Sequence, residues 1–131
     1  MPDLSSDELH FVLHLPPHPV SVSVARCAVR AMRTWVTGDR LDRAQVIISE
    51  VVTNAVRHGS PGSDDLIVVD LAATHDVVTG CVTDRGPAFD VPASAPRPDR
   101  VGGFGLHIIG RMADTWSVDQ LPTGNQVRFT V

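Results

Sequence analysis

Glu50 and Asn54 stand four residues apart in the stretch Ile47-Ile48-Ser49-Glu50-Val51-Val52-Thr53-Asn54-Ala55-Val56-Arg57-His58-Gly59, and Arg57 follows three residues later. At helical spacing a carboxylate, a carboxamide and a guanidinium then share one face. Such a trio can serve a metal-bound anionic ligand, although by itself it reads more readily as a solvated polar face. Two later patches change its meaning: Asp84-Arg85-Gly86, and Gly103-Phe104-Gly105-Leu106. A carboxylate at a strand end can accept a hydrogen bond from the amino group of adenine, and would reject the carbonyl of guanine. Gly86 lets backbone run close to a base. Glycines at a helix start present N–H groups and the positive end of the helix dipole to phosphate oxygens. Asn54 offers a neutral oxygen to Mg²⁺, which keeps waters and phosphate oxygens as its other ligands. Other nucleotide patterns fail. No glycine stands three residues after Gly105, and all eleven basic residues are arginine, so the dinucleotide fingerprint and the lysine-bearing phosphate loop are both excluded.

These residues need elements to hold them. The first patch reads as the second half of an amphipathic helix that begins near Leu41 and stops at Gly59, a residue suited to a left-handed cap. Leu41, Ala44, Ile48, Val51, Val52 and Ala55 form its core-facing stripe, with Glu50 and Asn54 on the opposite side. An earlier helix is expected from about Val20 to Val36, capped by Ser21 or Ser23, with Val24, Ala28, Ala31, Met32 and Trp35 buried. It carries Arg26, Arg30 and Arg33 as a basic stripe that is either solvated or turned toward an acidic partner. Leu9 to Leu15 alternates as a half-buried strand. His10, His14 and His18 recur every four residues, but Pro16-Pro17 removes the helix that would make this a metal site.

Leu66–Ala72 and Val77–Thr83 read as an antiparallel pair linked through Thr74-His75-Asp76, and the second runs into Asp84. A proline-rich loop, about 87–102, has the length of a lid and ends where the glycines open a third helix, with Leu106, Ile109 and Met112 or Ala113 as its apolar side. Thr115–Leu121 and Gln126–Val131 form a closing hairpin through Pro122-Thr123-Gly124-Asn125. The expected fold is an α+β two-layer sandwich, a mixed and mostly antiparallel sheet covered on one face by three helices.

Composition fits one domain spanning residues 1–131, with 43% hydrophobic and 20% charged residues. A net charge of −4 argues against nucleic-acid binding by bulk electrostatics. Cys27 and Cys81 each lie in an apolar stretch and read as buried, reduced thiols. The first residues are acidic and polar, and there is no apolar run of membrane-spanning length, so the expectation is a cytoplasmic protein without a membrane partner.

In this order the patches resemble the GHKL (histidine kinase-like) ATPase superfamily, and more closely its anti-sigma regulatory factor branch, the stand-alone serine-protein kinases. Ser49 to Gly59 is similar to that branch's N box, Asp84-Arg85-Gly86 to its G1 box and Gly103-Phe104-Gly105-Leu106 to its G2 box. The resemblance implies ATP and Mg²⁺ as cofactors. It implies that Asn54 holds the metal, that Asp84 reads adenine beside Gly86, and that Gly103, Phe104, Gly105 and Leu106 cover the phosphates with Arg57 near them. Glu50 would be the general base, taking the proton of a serine on a STAS-domain anti-anti-sigma partner. It further implies sequestration of a sigma factor and a homodimer, with no direct contact to nucleic acid. Ala88 stands where the G1 pattern has a second glycine. That departure favours an alternative, an ATP-dependent protein-binding module on the same site with little transfer.

Overall fold

A computed structural model describes residues 8–58, 65–86 and 103–131, with the side chains of His58 and residues 103–106 left aside. The elements run β1 (Leu9–Leu15), α1 (Val20–Arg30), α2 (Gly38–His58), β2 (Ile67–Thr74), β3 (Val77–Asp84), α3 (Gly103–Met112), β4 (Thr115–Leu121) and β5 (Gly124–Thr130). The five strands form one sheet in the order β1-β2-β3-β5-β4, and every pairing is antiparallel. The expected α+β sandwich is present, without the parallel pairing that a mixed sheet would carry.

Strand alternation decides which face meets the helices. Ile67, Val69, Leu71 and Ala73 of β2, Val78 and Val82 of β3, and Val127 and Phe129 of β5 are buried on one face. They pack with Ala25 and Val29 of α1, with Ala44, Ile47, Ile48, Val51, Val52 and Ala55 of α2, and with Ile109 of α3 in one core. The α2 stripe is thus wider than expected, because Ile47 is also fully buried, and Leu41 is half-buried at its edge. A helix flanked by α1 and α3 and seated on β3 buries more than one narrow seam. At Gly80 an added Cβ would run into the ring of Phe129, so the aromatic ring fills the space that a side chain on β3 would otherwise take.

The first helix departs from expectation. It ends at Arg30, and residues 31–35 continue as turns with Met32 N–H bonded to the Val29 carbonyl and Trp35 N–H to the Met32 carbonyl. Its buried residues are Ser21, Ala25 and Val29, followed by Met32 and Val36; Val24 is exposed, Ala31 is exposed, and Ala28 and Trp35 are only partly covered. The physical reason is Ser21. Its hydroxyl donates to the Pro16 carbonyl at 2.6 Å, which satisfies a polar group on the core face and turns the helix by one residue from the apolar pattern. Neither serine caps the helix. Pro19 occupies the cap position, and the ring of His18 accepts the Val20 N–H at 3.1 Å. His10 and His14 lie on the exposed side of β1, where His10 meets Asp70 at 2.7 Å.

Both hairpins are tighter than their sequences suggest. Thr74 pairs with Val77, so only His75 and Asp76 turn, with Asp76 at φ 63°. Leu121 pairs with Gly124, so Pro122 and Thr123 make the second turn, and Gly124 and Asn125 belong to β5 instead of to the connection. The expected Gly59 cap and the loop at 87–102, with Ala88, Arg97 and Arg100, lie outside the described residues. The cysteines are corrected: Cys27 is exposed and Cys81 half-buried, both as free thiols. Cys27 sits on the solvent side of α1, and Cys81 on the sheet face away from the helices, so neither apolar neighbourhood in sequence becomes a core position.

Candidate active site

The site is built where α2, the end of β3 and α3 meet. Asp84 is the last residue of β3 and is only 6% exposed. Its Oδ1 accepts the Gly86 N–H at 2.7 Å, a turn that folds the chain back directly after the strand and buries Gly86. Asn125, 1% exposed and opposite Asp84 in register, donates its Nδ2 to the same Oδ1 at 3.3 Å and to the Gly86 carbonyl at 3.4 Å. Gly124 makes the approach possible, because a Cβ there would overlap the Asp84 carbonyl oxygen. Arg85 points the other way, to Asp65 at 3.8 Å.

A narrow crevice joins these groups to the helices. Asn54, Val51 and Ala55 of α2, Val82 and Asp84 of β3, Ile109 of α3 and Val127 of β5 line it. Two of the three sequence patches therefore meet in one place through Asn54 and Asp84, and α3, the helix opened by the third, lines the same crevice through Ile109. The first turn of α3 contains Gly103, Phe104, Gly105 and Leu106. Its far end is tied to the start of α2. Arg43 donates to the Met112 carbonyl at 2.9 Å and to Asp39 at 2.9 Å, and approaches Asp114 at 3.7 Å, while Arg40 reaches Asp114 at 3.3 Å. A cation at that carbonyl end complements the helix dipole.

Glu50 lies on the side of α2 that faces α1. It is half-buried and lines a groove of about 660 Å³ between α1 and α2, together with Ser23, Arg26, Arg30, Asp42 and Ser49. Asn54, also half-buried, borders the core stripe through Val51 and Ala55 instead of standing opposite to it. The correction has a simple cause. Residues four apart differ by about 40° around a helix and by one turn along it. With α1 and α3 both packed on α2, that offset brings Asn54 to the crevice beside Asp84 and Glu50 to the groove beside α1. Arg57 is exposed in the last turn of α2.

One neutral donor, Asn54, is compatible with a Mg²⁺ that arrives on a nucleotide. Among the described residues no hydrogen bond engages the Asn54 carboxamide, so its oxygen is available to a hard cation, and the charge such an ion needs would come from phosphates. Sequence reasoning missed Asn125. Gly-Asn is an ordinary turn signal, and only the pairing of β5 with the end of β3 shows that this asparagine belongs to the strand.

The sequence model of the family described as histidine kinase-like ATPase domain matches residues 15–131. The chain belongs to this family. Its curated relatives include the serine-protein kinase RsbW of Listeria monocytogenes serotype 4a, 28% identical over 78% of this chain and 74% of the relative. The Staphylococcus aureus serine-protein kinase RsbW is 24% identical over 91% of this chain and 84% of its own length. These relatives lie in the serine-protein kinase branch that the three boxes resemble. Among solved structures, the RsbU and RsbW domains of a Mycobacterium tuberculosis protein superpose with a TM-score of 0.70 at 20% identity, over 93% of this chain and 31% of that one. The histidine kinase domain of a blue-light activated kinase from Erythrobacter litoralis gives 0.54 at 17% identity, over 88% of this chain and 60% of that one. Both likenesses concern the fold.

Proposed function

We propose that this histidine kinase-like ATPase domain is an anti-sigma regulatory factor with serine-protein kinase activity, which binds ATP with Mg²⁺ and phosphorylates a serine of a STAS-domain anti-anti-sigma partner. The observation that carries the reading is the convergence of Asn54 and Asp84 on one crevice beneath α3. Asp84 would read the adenine amino group, with Gly86 allowing close approach. The first-turn N–H groups of Gly103, Phe104, Gly105 and Leu106 would face phosphate oxygens, with Arg57 supplying charge at the rim. Asn54 would hold the metal, which when bound neutralises phosphate charge and orients the terminal phosphate.

Glu50 would act from the adjoining groove. The acceptor serine Oγ forms a bond to the γ-phosphorus as the bond from that phosphorus to the β–γ bridging oxygen breaks. The serine proton passes to the Glu50 carboxylate, and ADP leaves. That Glu50 shares a groove with Arg26 and Arg30 supports an arrangement in which the protein substrate approaches along the α1 side of α2. In the same reading the protein works in the cytoplasm as a homodimer and holds a sigma factor when the partner is phosphorylated. Among the described residues no helix is long and apolar enough to cross a membrane.

A second reading is favoured by Ala88, which replaces the second glycine of the G1 pattern. Nucleotide binding then persists while transfer is weak, and the chain works as an ATP-dependent protein-binding module. Calorimetric titration with ATP and Mg²⁺, with Asp84→Ala as control, tests what both readings share. Phosphoserine on a STAS-domain protein, detected by mass spectrometry after incubation with ATP, separates them. Binding without phosphoserine selects the second, and no binding removes both.

A further inference from the structure

We propose that Asn125 is the positioning residue that makes this site selective for adenine, acting through Asp84; the inference rests on the nucleotide reading above. The terminal torsion of an aspartate is broad, so a strand-end carboxylate does not by itself aim one oxygen at a ligand. Here the two oxygens are treated differently. Oδ1 is held by the Gly86 N–H at 2.7 Å and by the Asn125 Nδ2 at 3.3 Å. Among the described residues no hydrogen bond reaches Oδ2, and Asp84 lines the crevice that also contains Asn54.

The orientation of the Asn125 amide follows from chemistry. Two groups within its reach, the Asp84 carboxylate and the Gly86 carbonyl, are both acceptors. The nitrogen must face them, since the amide oxygen in that place would be repelled by both. One buried side chain therefore ties the carboxylate to the backbone of the turn that follows it. With Oδ1 committed to two protein donors, Oδ2 remains as the acceptor for a ligand amino group. A base that presents a carbonyl there meets a fixed acceptor and is rejected.

The test compares ATP with purine riboside triphosphate, which lacks the 6-amino group, on the full chain with Mg²⁺. Asn125→Ala should raise the ATP dissociation constant about tenfold, the scale of one hydrogen bond to a charged acceptor. It should leave the affinity for purine riboside triphosphate within about twofold, because the lost function concerns only the amino group. Preference for ATP over GTP should fall with it. Asn125→Asp, which keeps the shape but removes the donor and adds a second carboxylate, should lose ATP more strongly and serves if the alanine variant melts early. Equal loss of both nucleotides by a folded variant makes Asn125 merely structural and overturns the proposal. So does unchanged ATP affinity where Asp84→Ala still abolishes binding. If the unsubstituted chain binds neither nucleotide, the nucleotide reading itself fails and this inference falls with it.

Discussion

Asn54 lines the crevice beside Asp84 and Glu50 the groove beside Arg26, so removing each should have a different consequence. Asn54→Ala should abolish Mg²⁺-ATP binding in calorimetry while leaving the thermal melt close to the parent. Unchanged affinity would remove it as the metal ligand. Glu50→Ala should spare ATP binding and eliminate phosphoserine on the partner, and transfer at the parent rate would show that the proton goes elsewhere. The thiols are also separable. Burial pushes the Cys81 thiol above its ordinary range, so less of it is thiolate at any given pH, whereas Cys27 is exposed. Ellman's reagent at mildly alkaline pH should therefore modify Cys27 first, and Cys27→Ser should remove the fast phase. The residue types at the crevice were legible in the linear chain, because acid, amide and glycine at those spacings have few joint uses. Their aim was not, because a side chain's direction depends on what flanks its helix.

At the scale of elements, α2 is both the core's main wall and the carrier of the site. Ile48 is fully buried among α1, α2 and sheet residues, and Ile48→Ala should destabilise the fold by about 2–5 kcal/mol in urea unfolding, from lost burial and the cavity left behind. α3 depends on Arg43, whose guanidinium reaches the Met112 carbonyl. The ion pairs it makes with Asp39 and Asp114 are partly solvated and count for little, so Arg43→Ala should lower stability by only about 1 kcal/mol, chiefly through the helix end. On α1, Arg26 and Arg30 border the groove that holds Glu50, which raises the interest of the basic stripe. Reversing Arg26, Arg30 and Arg33 to glutamate should weaken capture of the STAS-domain partner and spare ATP titration; full capture would mean a solvated stripe. Element types and most boundaries could be read from apolar period and turn residues. The phase of α1 could not, since a serine satisfied by a distant carbonyl sits where the pattern expects an apolar residue.

For the molecule as a whole, helices cover one face of the sheet and leave the other with small and polar side chains such as Thr79, Cys81, Ser117, Arg128 and Thr130 around a broad open depression. Sedimentation equilibrium should report a dimer if the homodimer implied by the family resemblance holds, and a monomer at all working concentrations would remove that element of the proposed function. The linear chain by itself determined the α+β class, the order of its elements and the three patches, since hydrophobic period and glycine placement are local properties that survive whatever packs around them. Tertiary structure alone decided three things. It brought Asn54 and Asp84 together from α2 and β3. It set Glu50 in the α1–α2 groove beside Arg26 and Arg30. It converted Gly124 and Asn125 from an apparent turn into the strand that holds Asp84, because strand pairing, a contact between residues far apart in sequence, overrides the local preference of Gly-Asn for a turn.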